Sequence, residues 1–389
     1  EYPTPYVDYN QRPAVPDSHL YNTEDKNRSN LITGRVDAEL SKLWSTSFMV
    51  GHYNMNYSTH TPEYDFQPNV MRNRRFQTEW RNALTWNKQW TTIAGMAWDR
   101  SAYTSENNYV SKDEWQSTLA FFAEQMWAPT DNFDASVALR LEHDSVWNNH
   151  FTWRYSNSWK VTGKDSPTRI FGSVGSGFRA PTYFEQYAAN YGYVGNPDLD
   201  ISKSLGGDLG VEQRLADNHY AVTGFWTRIN DEIGTRSVGT WPDSYTTYAN
   251  YSHATSYGVE VAFKGQFKDA WNSGYYANYT FTMPKRDSIG SYETRQMANN
   301  AEIHTSPLEK LTVGFGVTSA MGRTDYNYAR LDNFFTARVF ARYQVTDNVA
   351  LHVRVENLFD QNFIITNDYN FGPRQARGLG VFGGVTVEF

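Results

Sequence analysis

The chain is 389 residues long, has a formal net charge of −7 and contains no cysteine. Those values exclude disulfides and thiolate metal sites and leave no electrostatic case for nucleic acid as a partner. Mean hydropathy is −0.66 and no apolar run nears the ~18 residues of a transmembrane helix, which excludes a helical membrane protein but not a barrel, whose strands need only every second residue to face lipid.

Residues 1–30 are polar and rich in proline and read as an outside loop, leaving 31–389 as one domain. From there period-2 alternation recurs. Ile32, Val36, Ala38 and Leu40 alternate with Thr33, Arg35, Asp37 and Glu39. Phe76, Trp80, Leu84 and Trp86 follow, then Phe133, Ala135, Val137, Leu139 and Leu141, with Arg140 and Glu142 between. Later come Tyr257, Val259, Val261 and Phe263 around Glu260, and Phe335, Ala337, Val339, Ala341 and Tyr343 around Arg338 and Arg342. Val349, Leu351, Val353 and Val355 alternate with His352, Arg354 and Glu356, and the chain closes on Leu379, Val381, Val385, Val387 and Phe389. The pattern gives about 17 strands, several longer than the ~9–11 residues that cross a bilayer.

Short turns near 42–43, 87–89, 129–132, 163–166, 216–218, 268–270 and 346–348 alternate with long polar links near 59–70, 104–113, 177–201, 231–243, 284–296, 322–332 and 360–378. Such asymmetry fits short periplasmic turns and longer outside loops. Aromatic residues make up 16%, with 13 Trp and 27 Tyr, and several mark strand ends, as girdles at two membrane interfaces require. The expected fold is all-β, a transmembrane antiparallel up-and-down barrel. A soluble sandwich or propeller shares the alternation but not the unequal ends.

Two sets of motifs are more specific. Gly175-Ser176-Gly177-Phe178-Arg179-Ala180-Pro181 precedes Gly195-Asn196-Pro197-Asp198-Leu199, and Asn357-Leu358-Phe359-Asp360 precedes a loop with Gly372, Arg374 and Arg377 and the terminal Phe389. Together they resemble TonB-dependent outer-membrane receptors from about residue 166 to the end, closest to the cobalamin and catecholate-siderophore branches. The haem branch carries a histidine between the first two boxes, and this chain has none there.

The resemblance implies a barrel of about 22 strands around a plug, so the plug and about five strands are expected from an upstream part of the same gene product or a second chain. Leu31–Ser41 is accordingly expected to be hydrogen-bonded on one side only. The resemblance also implies location in the outer membrane of a Gram-negative bacterium, contact with its lipid, and coupling to the TonB energy-transducing complex. The implied activity is uptake of a scarce metal chelate or a cobalamin-like vitamin, without catalysis. A passive porin is the alternative, and an outer-membrane hydrolase a weaker one, since His143, His304 and His352 lack a nucleophile and acid at recognisable spacing.

Candidate ligand contacts are Tyr183, Tyr187, Tyr191 and Tyr193 between the boxes, with Arg179 and Trp241, because aromatics on an outside loop offer flat, low-entropy surface to a bulky ligand. Arg35, Glu39, Arg140, Glu260, Arg338 and Arg354 are expected to face a plug, and Phe389 to act as an assembly signal. No cofactor is expected. Calcium on an outside loop with Asp8, Asp17, Glu24 and Asp25 is weighed against a merely solvated acidic loop, as are His143 and His150 as metal ligands.

Overall fold

A computed structural model of the chain describes residues 24–60, 69–106, 111–187, 189–190, 193–240, 245–286, 292–293, 296–325, 329–368 and 372–388. Among these, 17 long strands form antiparallel sheet, with a single five-residue helix, α1 (Tyr183–Tyr187). The strands are β1 (Glu24–Glu39), β2 (Trp44–His60), β3 (Asn69–Thr85), β4 (Trp90–Glu106), β5 (Ser111–Thr130), β6 (Phe133–Asp144), β7 (Asn148–Lys160) and β8 (Thr168–Arg179). They continue as β9 (Ser202–Leu215), β10 (Asn218–Val238), β11 (Tyr245–Gln266), β12 (Gly274–Arg286), β13 (Gln296–Leu308), β14 (Leu311–Met321), β15 (Phe334–Thr346), β16 (Val349–Glu356) and β17 (Gly380–Val387).

The chain divides into two compact units. One comprises Glu1–Asn157, Ser173–Gly206 and Arg228–Ala254; the other comprises Ser158–Gly172, Gly207–Thr227 and Thr255–Phe389. In the first, β1 to β6 form a meander whose register lines up Val36, Phe48, Trp80, Met96, Phe121 and Leu141 in one row across six strands. Every member of that row is 43–68% exposed. The adjacent residues Arg35, Glu79 and Glu142 fall on the opposite face, because side chains alternate along a strand. In the second unit β12 to β17 repeat the device, with Tyr275, Ile303, Phe315, Val339, Val355 and Val381 in one row. An apolar row this broad and this exposed needs an apolar medium against it, since soluble proteins rarely expose such patches.

Local chemistry explains the short turns. Ser41 Oγ accepts from the N–H groups of Leu43 and Trp44, Asn87 Oδ1 from Gln89 and Trp90, and Asp269 Oδ1 from Trp271 and Ser273. These side chains mimic a backbone turn and end each strand within a few residues. Two prolines that interrupt strand patterns, Pro129 and Pro307, sit where the register of β5–β6 and β13–β14 shifts by a bulge, the position a residue without an N–H tolerates.

Within its own unit β1 is hydrogen-bonded to β2, along one edge, and β17 within its own to β16. One boundary differs from the sequence reading. The supposed loop at 1–30 is already strand from Glu24, where Glu24 pairs with His60, because Thr59 and Tyr57 hydroxyls hold Asp25 in the ladder. The connection after β6 is also short, three residues long, since Asp144 Oδ1 accepts from Val146 and Trp147 and closes it early. Phe389 lies outside the described residues.

Candidate ligand-binding site

The segment between the two boxes folds into α1 through a reciprocal cap. Thr182 Oγ1 accepts from the N–H of Glu185 at 3.2 Å, and the Thr182 N–H donates to Glu185 Oε2 at 2.7 Å. This is the Thr-x-x-Glu capping box, which stabilises an otherwise marginal single turn. Arg179 closes the cage, donating from Nη1 and Nη2 to the two Glu185 oxygens at 2.8 and 3.1 Å. Burial alone raises the carboxyl of Glu185, but the hydrogen bonds from Arg179 and Thr182 outweigh it and hold the group below its usual range. Arg179 is thus committed to bracing the loop.

The helix lies on the polar face at the long-loop end of β4 and β5. Tyr183 stacks on Tyr103, rings 5.2 Å apart and within 5° of parallel, and its hydroxyl reaches the Ser101 carbonyl at 3.4 Å. Packing against these groups pushes the Tyr183 phenol pKa upward. Lys112 sits 4.9 Å over the ring of Tyr187, a cation–π contact, and Phe184 meets Tyr248 edge to face. Tyr193 pairs through its backbone with Thr246 and Asn190. Tyr191 and Trp241 lie outside the described residues.

The second box anchors the return of the loop. The Asn196 N–H donates to the Glu185 carbonyl, its side-chain amide to the Tyr248 carbonyl, and its Oδ1 accepts from Asp198. Leu199 is buried beneath this turn. Asn250, which sequence reasoning missed, holds the junction. Its Oδ1 accepts from the Asp200 N–H, and its amide donates to the carbonyls of Asp200 and Asp231. A lone asparagine in a strand pattern gives no such signal. The Thr-x-x-Glu spacing at 182–185 does, and marks the helix.

At the end of β16, Asn357 and Asp360 adopt left-handed backbone, with φ of 49° and 50°. Asn357 Oδ1 accepts from Gln361, its amide donates to the carbonyls of Gln361 and Arg377, and Asp360 Oδ1 accepts from the Leu379 N–H. The box is therefore a latch that fixes the entry to β17. Between them Ile364–Asp368 and Gly372–Gln375 form a hairpin. Arg323 pins it, donating to the carbonyls of Ile364 and Ile365 while lying over Phe334 and Phe363.

The charged residues of the polar face mostly satisfy one another along a strand. Arg35 pairs with Asp37, Arg140 with Glu142, and Arg354 with Glu356, at 2.7, 2.7 and 2.8 Å. Arg338 instead crosses strands, donating to Glu302 on β13 at 2.6 Å and to the Tyr276 hydroxyl on β12 at 2.9 Å. It passes over Gly316, where a Cβ would meet Arg338 Nε at 2.9 Å. Glu39 and Glu260 are exposed. A hub not anticipated from sequence is Glu212 on β9, nearly buried, which receives Arg169, Arg214 at 2.7 Å and His219 at 3.0 Å.

Of the residues weighed for metal, the described ones are engaged with other partners. Asp25 accepts from Tyr57 and Thr59, Glu24 pairs with Lys26, and Asp8 and Asp17 lie outside the described residues. His143 Nδ1 bonds Asn149 Oδ1, while the ring of His150 lies 4.5 Å from that of Phe178. Among the described residues, no group of three or more His, Asp or Glu side chains forms a metal cage. Nor is any described helix long and apolar enough to cross a membrane, which says nothing of strands that do so.

Unequal ends, one apolar and one charged face, and a capped loop between two boxes define a membrane β-barrel wall of the receptor type. Residues 2–358 match the family described as TonB dependent receptor-like, beta-barrel, and the chain belongs to that family. It is 22% identical over 311 residues to the vitamin B12 transporter BtuB of Photobacterium profundum, covering 78% of this chain and 49% of that protein. It is 24% identical over 285 residues to an iron-regulated outer membrane virulence protein of Vibrio cholerae, covering 66% and 42%. The chain thus spans about half the length of the curated relatives it matches. In fold it is similar to the copper transporter OprC, with TM-score 0.79, 15% identity and coverage of 94% and 68%. It is also similar to the ferric-catecholate receptor Fiu of E. coli, with TM-score 0.72, 13% identity and coverage of 95% and 66%.

Proposed function

We propose that this chain is the wall and outer mouth of an active uptake receptor in the outer membrane of a Gram-negative bacterium. It takes up a metal chelate of the siderophore type or a cobalamin-like compound, driven through TonB. The family match and the relatives' names, a vitamin B12 transporter and an iron-regulated outer membrane protein, support this reading. The observation that carries it is the braced loop. Arg179, Thr182 and Glu185 hold Tyr183, Phe184 and Tyr187 against the polar face at the long-loop end, so that aromatic surface lines the mouth at little entropic cost on binding.

No bond is made or broken in this reading. The self-paired charges of the polar face suit a wet contact with a removable plug rather than a one-sign ion filter. The test is binding by intrinsic tryptophan fluorescence, with ferric catecholate and cyanocobalamin as probes and the intact protein in detergent. One of the two is expected to bind, and replacing Tyr183 and Tyr187 with Ala should weaken it at least about tenfold. An unchanged Kd in the double variant removes the loop from the site. Binding of neither probe together with steady single-channel conductance would move the protein to the porin class.

A further inference from the structure

We infer that the membrane face of β13 to β16 carries a retention site for one acyl chain of a phospholipid in the periplasmic leaflet. The site is a trough of about 750 Å³, within the size range of pockets that hold small ligands. Its floor is made of short side chains, Val313, Val339, Ala341 and Val353, which share a face by register. Ile303 and Phe315, 48% and 40% exposed, stand above it on the same face. Its short-turn end is closed by Trp271, 59% exposed, in the turn after β11.

The occupant follows from where the trough lies and how it is lined. The floor belongs to the apolar face, and the outward apolar band of a membrane β-barrel stands against lipid. The trough extends to the short turn that carries Trp271, and short turns in such barrels stand in the periplasm, so the chains that reach it belong to that leaflet. Aromatic side chains gather at this edge. Phe267 and Tyr275 are 5.2 Å apart, and the Tyr275 hydroxyl donates to Asn218 Oδ1 at 2.9 Å, an apolar body with a wet tip at headgroup height. The turns alongside carry both signs of charge, Lys268 with Asp269 and Glu309 with Lys310, which matches a zwitterionic headgroup better than a strongly anionic one. The depression between Phe315 and Trp271 distinguishes this stretch from the row of tall side chains across β1 to β6, and a depression restrains a chain where a smooth wall only solvates it.

The experiment uses the intact protein, extracted from its own outer membrane and washed through delipidating detergent. Native mass spectrometry then counts bound lipid, and heat-shifted gel mobility confirms the fold. Wild type and Val387→Trp, a change on the same face whose cross-strand partner Val349 does not line the trough, should each retain one phospholipid. Ala341→Trp fills the floor and should lower that occupancy at least about tenfold, the equivalent of losing two buried methylenes. Trp271→Ala, which opens the trough without adding bulk, should lower it as well and covers the case in which Ala341→Trp fails to fold. Retention by both trough variants at the wild-type level overturns the site. So does a wild-type protein stripped bare, and so does lipid A as the retained species, since it belongs to the opposite leaflet. None of these outcomes touches the uptake reading, which the fluorescence titration tests separately.

Discussion

Glu185 does three things at once: it caps α1, receives Arg179 and fixes the loop between the boxes. Its carboxyl lies below its ordinary value of 4.5 in the folded protein. A depressed carboxylate contributes stability that is fully present above the unfolded value and lost as pH falls through the folded one. Limited proteolysis at 180–200 should therefore be unchanged between pH 7 and pH 5 and accelerate only in stronger acid. Glu185→Ala, which removes cap and ion pair together, should expose the loop at neutral pH at a local cost of about 1–2 kcal/mol. Glu185→Gln should fall between, because an amide oxygen still accepts from Thr182. Acceleration between pH 7 and pH 5 in the wild type would show that another group holds the loop. Gly316 is the second sensitive residue. Gly316→Val obstructs the path of Arg338 and should separate it from Glu302 and Tyr276, costing about 1–3 kcal/mol in urea unfolding. Gly316→Ala relieved by Arg338→Lys would confirm that path.

Strands are the elements in which sequence and structure agree most closely. The alternation of Val349 to Val355 and of Leu379 to Val387 fixes which face each residue takes, and the register confirms it, pairing Leu351 with Val385 and Val355 with Val381. Period-2 patterning is local, so it survives without any knowledge of neighbours. What the pattern concealed is long-range or small. Asn250 reaches two carbonyls that lie 19 and 50 positions away in sequence, and the Glu212 hub collects cations from two strands. Neither leaves a mark on periodicity. The end of the leading loop was displaced because residues 24–30 are polar on both faces, which hides a strand. The face assignment has a direct test on β17. Val385→Arg places a charge against lipid at roughly 2–4 kcal/mol, so refolding yield into liposomes should drop sharply, while Thr386→Arg should fold nearly as wild type. Equal yields would reverse the assigned faces.

For the whole molecule, the two boxes and the latch at Asn357 share one office: each returns a long loop to the wall at a fixed place. On the proposed uptake reading, changing Tyr187, Tyr191 and Tyr193 together to Ala should weaken ligand binding while leaving the heat-shifted mobility of the folded protein intact. A simultaneous loss of that mobility would mean the tyrosines hold the wall and not the ligand. The charges of the wall carry a different consequence. Arg35 with Asp37, Arg140 with Glu142, and Arg354 with Glu356 are neighbours within one strand, two residues apart. Each such strand brings its own counter-ion with it. During assembly it can approach a growing edge already neutralised, without waiting for a partner to compensate it, so the order in which these strands are added is free of any electrostatic bookkeeping. Arg338, whose carboxylate sits two strands away, and Arg169, whose partner Glu212 lies on the next strand, differ: each gains its counter-ion only once the neighbouring strand is in place.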